Sequence, residues 1–173
     1  MSHYFMDDEN VKSEEFVFST QVLDVSLSFV SDNGVFSKNN LDFGTRSLLE
    51  SLPLISGDVL DIGCGYGPIG IFLKKKYDCN VDMIDINKRS LGLALKNSLK
   101  NGVDVNIFES NAFENVFKKY DFIVTNPPIR VGKKVLYDIL IGSMEHLKSD
   151  GELWFVIHKD QGAKSTVSML GQF

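Results

Sequence analysis

Cysteine is scarce in this chain: Cys64 and Cys79 are the two among 173 residues. They form no CxxC pair and have no histidine at ligand spacing. Neither a disulfide framework nor a metal site is expected, and a reduced, cytoplasmic protein is. Long hydrophobic runs are missing too. Nothing approaches a membrane span, and the N-terminus lacks the basic-then-apolar pattern of a leader, so no membrane partner is expected. There is no basic excess either. Eighteen Lys and Arg face 23 Asp and Glu, for a net charge of −5, which argues against strong non-specific nucleic-acid binding. Internal repeats and low-complexity tracts are also absent. What remains is one ordinary globular domain whose 13 Phe supply bulk for a core.

Against that background, Asn126-Pro127-Pro128-Ile129 stands out, directly after the apolar run Phe122-Ile123-Val124. Proline cannot continue a ladder, and it forces the preceding residue into an extended or turn conformation. Asn126 is therefore expected at the C-terminal edge of a strand, where open α/β sheets bind ligands. Its side-chain oxygen and the Pro127 carbonyl would form two acceptors suited to an exocyclic amine. A plain Pro-stopped strand end is the bland alternative.

A second motif lies upstream. Asp61-Ile62-Gly63-Cys64-Gly65-Tyr66-Gly67-Pro68 follows the apolar pair Val59-Leu60 and precedes the helical pattern Ile69, Phe72, Leu73. Strand, glycine-rich turn and helix start together make a nucleotide-binding context, because glycines tolerate positive φ and let backbone approach a ligand. Pro68 suits a first helical position. Cys64 reads as a small residue in a crowded loop rather than a nucleophile. Asp85, followed by Ile86, ends the next apolar run, where an acid can take ribose hydroxyls. Gly65-x-Gly67-x-x-Gly70 is also a literal dinucleotide fingerprint, so a nicotinamide dehydrogenase has to be weighed. Asp61 before the first glycine, the early Gly63-x-Gly65-x-Gly67 spacing and the Asn-Pro-Pro step all favour a methyltransferase instead.

These residues resemble the class I S-adenosylmethionine-dependent methyltransferases. More narrowly, Gly34-Val35-Phe36-Ser37-Lys38 with Leu41-Asp42-Phe43-Gly44-Thr45-Arg46 is similar to the segment before the glycine loop in RsmC-type ribosomal small-subunit RNA guanine-N2 methyltransferases. Asn126 to Lys133 and Gln161-Gly162-Ala163 resemble its short single-domain members. The resemblance implies a Rossmann-like α/β sheet flanked by helices and S-adenosylmethionine as cofactor, with an RNA substrate, either ribosomal RNA or the small ribosomal subunit. It implies that Asp61, Gly63, Cys64, Gly65, Tyr66, Gly67, Asp85 and Ile86 line the cofactor. Asn111-Ala112 stand where the superfamily commonly has an acid for the adenine amine. Asn126, Pro127, Pro128 and Ile129 are the expected catalytic step. Ile129 departs from the aromatic residue frequent at that position. Arg130, Lys133 and Lys134 are candidate substrate contacts. Phe36 reads as a cover for cofactor or base, or as core. Methylation of a protein glutamine or a small molecule, or a non-catalytic cofactor-binding module, stays open.

Along the chain, residues 1–15 read as a polar arm and 16–173 as the methyltransferase domain. Within it, 16–35 is a β-hairpin turning near Gln21 to Asp24, 36–57 a leading helix segment with its helix over Thr45–Leu52, and 58–173 the cofactor-binding core. Strands are expected at Val59–Ile62, Asn80–Asp85, Val103–Phe108, Tyr120–Thr125 and Glu152–Ile157. Helices are expected at Ile69–Lys76, Lys88–Lys100 and Lys134–Leu147. The second helix should bury Leu91, Leu95 and Leu99, and the third Leu136, Leu140, Met144 and Leu147. Lys74-Lys75-Lys76 and Lys118-Lys119 read as solvated helix ends. His146 sits near a helix end, and His158 beside the cleft. Class I methyltransferases end with a helix and two more strands. The C-terminal strands therefore look missing, and an uncovered strand edge is an expected dimer contact.

Overall fold

Alternating apolar and polar residues build the first pair of elements. The computed structural model describes residues 14–32, 40–127, 132–157 and 163–171. Strands β1 (Glu15–Val22) and β2 (Val25–Asp32) form an antiparallel hairpin closed at Val22↔Val25. Val25, Leu27 and Phe29 point inward. Helix α1 (Phe43–Ser51) then begins two residues before its expected start, because Asp42 caps it by accepting the Thr45 N–H at 3.1 Å. It ends at Ser51, one residue before its expected end, because Leu52 is held extended by the following Pro53.

From there strands and helices alternate: β3 (Asp58–Ile62), α2 (Pro68–Tyr77), β4 (Asn80–Asp85), α3 (Lys88–Lys100), β5 (Asn106–Glu109), β6 (Tyr120–Thr125), α4 (Gly132–Glu145), β7 (Leu147–Phe155) and α5 (Ala163–Leu170). The five-stranded sheet runs β5-β4-β3-β6-β7, all parallel. Chain direction across the sheet reverses at β3, so the C-terminal ends of β3 and β6 flank a topological switch point, where such sheets place ligands. This is the expected Rossmann-like α/β fold with its N-terminal hairpin. Val59, Val81, Met83 and Val124 face a core shared with the hairpin, α1, α2 and α3. Leu60, Ile62, Ile84 and Ile123 face the opposite core, which Ile139 of α4 covers. No helix among the described residues is long and apolar enough to cross a membrane.

The opposite, N-terminal edge of the sheet is held by charge. The Lys148 ammonium reaches Asp58 and Asp121, each at 3.0 Å, and the Asp58 N–H donates to Asp121. The Lys148 contact holds the Asp58 carboxyl below its ordinary range, and the Asp58 N–H does the same for Asp121.

Several expectations are corrected. Helix α3 keeps its bounds, but Leu95 and Leu99 are 54% and 73% exposed. The buried face is Ser90, Leu93, Ala94, Asn97 and Ser98 instead. A pair of amides decides the rotation. Asn97 accepts the Val30 N–H at 2.7 Å and donates to the Val30 and Tyr66 carbonyls at 2.9 and 2.8 Å. Asn101, one turn on, accepts from and donates to Ser28 at 3.1 and 2.8 Å. Side chains of a helix thus occupy the outer edge of β2, which an unpaired strand would otherwise present. Asn97→Leu should cost roughly 3 kcal/mol, since it orphans three backbone groups, the Tyr66 carbonyl fully buried and the Val30 pair partly so, measured by urea unfolding. A loss under about 1 kcal/mol would mean that water replaces the amide.

Leu147 belongs to β7 rather than to the helix before it. His146 closes α4 on Ser143 and accepts the Tyr120 N–H at 2.8 Å, drawing the chain into the sheet early. Residues 149–151, between the expected helix and strand, are a register irregularity inside β7, with Asp150 at φ 68°. Strand β5 is shorter than expected, because Val103 and Val105 pack on the core before pairing starts. The Lys74–Lys76 run is not merely solvated. Lys75 donates to the Ser26 carbonyl at 2.7 Å and Lys76 to Asp24 at 2.6 Å, tying α2 to the hairpin. Lys118 likewise lies 3.7 Å from both Asp58 and Asp82.

Candidate active site

The turn between β3 and α2 uses its glycines in two ways. Gly63 and Gly65 have φ of 70° and 58°, and a Cβ on either would meet nothing within 4 Å. They line open space, and their backbone conformation is what requires glycine. Gly70 differs, since a Cβ there would lie 2.6 Å from the Met83 sulfur. It lets α2 pack closely on β4, the part a third glycine plays in nucleotide-binding turns. Pro68 occupies the first residue of α2, as expected. The Cys64 N–H fixes the turn to the Ile84 carbonyl at 2.8 Å. Burial, then the charges of Asp61 and Asp85, drive the Cys64 thiol well above its ordinary value, so it is no nucleophile at neutral pH.

Two carboxylates brace this turn. Asp61 is fully buried below it, and its Oδ2 accepts the Gly70 N–H at 2.9 Å. Its Oδ1 has no hydrogen-bond partner among the described residues. Desolvation pushes the Asp61 carboxyl up to about 7, against the Gly70 bond and with the help of Asp85. Asp85, at the end of β4, takes the Gly65 N–H at 2.9 Å and the Asn87 N–H at 2.8 Å. Ile86 is half-buried beside it. The Asp85 carbonyl also accepts the Ser110 N–H, which brings the exposed Asn111-Ala112 segment to the same rim. Ala112 sits at φ 49°, with its carbonyl bonded by the Ser110 hydroxyl at 2.6 Å.

Tyr66 lies in the turn, but its ring is turned away from the open space. It packs edge-on against Phe29 and Phe18 of the hairpin, at 5.4 and 6.0 Å. Only its backbone remains for the rim. Burial and then the Asp42 charge push its phenol upward.

Across the switch point, Thr125 donates to the Ile62 carbonyl at 2.9 Å and fastens the end of β6 to the end of β3. Asn126 follows, half-buried, with Pro127 buried behind it. The Asn126 amide nitrogen donates to Asp42 and to the Thr45 hydroxyl, both at 3.0 Å. With the nitrogen occupied on the protein side, the amide oxygen is the group left for another partner. Pro128, Ile129, Arg130, Phe36 and His158 lie outside the described residues. Lys133 is exposed, and Lys134 pairs with Asp138 at 2.9 Å on the surface of α4. His146 stacks on Phe113 with centroids 4.4 Å apart and bonds the Gly142 carbonyl, away from this rim.

Asp42 and Thr45 escaped the motif reading as site residues, although both fall in the segment that carried the resemblance. The missed signal is Asp-x-x-Thr before an apolar run, a helix-start pattern. Placing the helix start at Thr45 left Asp42 without a role.

The profile of the Methyltransferase small domain family matches residues 26–173. The uncharacterized protein YbxB of Bacillus subtilis (strain 168) is 45% identical over 97% of this chain and 87% of its own length. Ribosomal RNA small subunit methyltransferase C of Psychromonas ingrahamii is 36% identical over 82% of this chain, which spans only 42% of that relative. Among solved structures, the T. thermophilus 16S rRNA N2 G1207 methyltransferase, in complex with AdoMet and guanosine, superposes with a TM-score of 0.82. It covers 90% of this chain, which spans 45% of its length, at 24% identity, a likeness of fold. A family profile running from the hairpin to the last residue leaves no doubt about descent: the chain belongs to the methyltransferase small-domain family.

Proposed function

We propose that this chain transfers a methyl group from S-adenosylmethionine to the exocyclic N2 amine of guanine in small-subunit ribosomal RNA. The observation that carries the reading is the Asn126 amide, anchored by its nitrogen at the C-terminal end of β6, beside the glycine turn of β3. The names of the relatives, and guanosine in the structural neighbour, support the choice of base. The partner in this reading is ribosomal RNA or the small subunit.

The turn suits the cofactor. Open space over Gly63 and Gly65 admits a ligand against bare backbone, and the Asp61 oxygen without a partner among the described residues would, when ionised, put negative potential beneath a cationic group. Asp85 takes the ribose hydroxyls, and Asn111 with the Ala112 backbone faces the adenine. The bound cofactor supplies an activated methyl on a sulfonium.

The chain's own residues then have one principal task. A guanine amine is a poor nucleophile, because its lone pair is delocalised into the ring. The Asn126 oxygen and the Pro127 carbonyl accept its two N–H groups, bias the nitrogen toward tetrahedral geometry and aim the lone pair at the methyl. Positioning of the amine against the methyl does most of the catalysis. The proton departs after transfer, when the nitrogen is strongly acidic. In duplex RNA that amine lies at the minor-groove edge, so the substrate is an accessible loop or an extruded base.

Incubation with tritiated S-adenosylmethionine and small ribosomal subunits, followed by nucleoside digestion, tests the reading. Label in N2-methylguanosine is expected. Label in ribosomal protein would move the reading to glutamine methylation, and cofactor binding without label would leave a binding module. Asp85→Ala should weaken cofactor binding about 30-fold by calorimetry, the loss of two charge-assisted bonds. Unchanged affinity would remove Asp85 from the cofactor site.

A further inference from the structure

We propose that Asp42 and Thr45 are positioning residues that lock the Asn126 amide with its nitrogen inward, so that its oxygen is the atom offered to the substrate amine. The inference rests on the proposed reading of Asn126 as the amine acceptor, and adds the device that sets its orientation.

An asparagine amide has two faces of opposite chemistry, and an orientation is meaningful only when something selects it. Here the selection comes from charge. Asp42 can only accept, and its Oδ2 lies 3.0 Å from the Asn126 nitrogen. Turning the amide over would set its oxygen against that carboxylate oxygen. A threonine hydroxyl can accept or donate, so Thr45, at 3.0 Å, strengthens the chosen state without selecting it. Asp42 is the selector and Thr45 the second anchor.

The surroundings hold these groups in place. The same Asp42 oxygen accepts the Thr45 N–H at 3.1 Å, so capping α1 and orienting Asn126 are one arrangement. Thr45 is buried. Between them Gly44 keeps the passage clear, since a Cβ there would lie 3.1 Å from Asp42 Oδ2, 3.6 Å from the Asn126 nitrogen and 3.5 Å from Val156. The first turn of α1, the end of β6 and the residue following β7 thus converge on one amide. Asp42 and Thr45 are 84 and 81 positions from Asn126 in sequence.

Capping and orienting are separable by substitution. Serine caps a helix as well as aspartate does, but its shorter side chain does not reach Asn126. Asparagine keeps both the length and an oxygen. Asp42→Ser should leave the melting temperature within a few degrees and cofactor affinity within about twofold, while kcat on small subunits falls about 10- to 100-fold, the range for a lost charge-assisted bond. Asp42→Asn, which keeps an oxygen for the Thr45 and Asn126 N–H groups but loses the charge, should recover only part of that loss. Thr45→Val should lower kcat about tenfold, again without moving cofactor affinity. Unchanged kcat in Asp42→Ser, or cofactor affinity falling in step with kcat, would overturn the proposal.

A second readout needs no turnover. Side-chain NH₂ protons of Asn126, followed by NMR in the full chain, should exchange slowly in the native protein and markedly faster in Asp42→Ser. Protection unchanged by Asp42→Ser would overturn the lock. Loss of protection in a chain that never methylates guanine would uphold the lock and sink the functional reading instead.

Discussion

Asn126→Ala should lower kcat by about three orders of magnitude or more while changing cofactor affinity less than about threefold. The size follows from what the amide is asked to do. Removing one preorganised hydrogen-bonding group at the reacting centre commonly costs a factor of about 10² to 10³, and here the same group also orients the nucleophile. The asymmetry follows from geometry. Asn126 bonds to Asp42 and Thr45 of α1, whereas the cradle is braced by Asp61, Asp85 and the backbone of the turn. Isothermal calorimetry with S-adenosylhomocysteine and single-turnover kinetics separate the two quantities. If affinity and turnover fell together, Asn126 would be holding the cleft rather than serving the reaction.

A second large effect belongs to Asp61, and it concerns stability. Its carboxyl is pushed up to about 7 by burial, against an ordinary value of 3.8. The sign runs against the habit of acids. Below pH 4 the group is protonated both folded and unfolded, and it contributes nothing. Between 4 and 7 the unfolded chain ionises while the folded chain stays protonated, so stability falls as pH rises. Above about 7 both forms are ionised and the loss is complete, on the order of 4 kcal/mol. Asp61→Asn retains an oxygen for the Gly70 N–H but has no charge to desolvate. The stability of the variant minus that of the native chain, from urea unfolding, should therefore grow by about 4 kcal/mol between pH 4 and pH 8. A difference that stayed flat with pH would show that the carboxyl titrates normally. The same substitution should weaken cofactor binding, because a cationic ligand favours the ionised carboxylate. A buried acid that burdens the free fold and is relieved by its ligand is how strain gathers at functional sites.

Much of this was legible in the sequence wherever the signal was local. The bounds of β4, α3 and β6 follow from apolar runs closed by Asp85, by Asn101-Gly102 and by the Asn126-Pro127 step, and they match what is observed. Gly63-x-Gly65-x-Gly67 after a strand fixed the place of the turn, and Pro68 the start of its helix. What stayed hidden depends on partners far along the chain. Leu91, Leu95 and Leu99 recur one turn apart, and periodicity alone made them the core face. The two amides bonded to β2, Asn97 and Asn101, override that pattern, and the distance of 67 positions from Asn97 to Val30 gives no local sign of it. Lys75 and Lys76 are bound to the hairpin across 49 and 52 positions for the same reason. At the site, motif reading found the amide and the turn but not the groups that orient the amide. Asp42 looks like an ordinary helix cap until the fold sets Asn126 beside it.

A crystal structure of the full chain with S-adenosylhomocysteine and guanosine tests the central claim most directly. The Asn126 oxygen should lie about 2.8–3.2 Å from the guanine N2, with the sulfur over the glycine turn and the amide nitrogen still on Asp42. Guanosine bound elsewhere, or an Asn126 oxygen buried against protein while N2 contacts other groups, would contradict it.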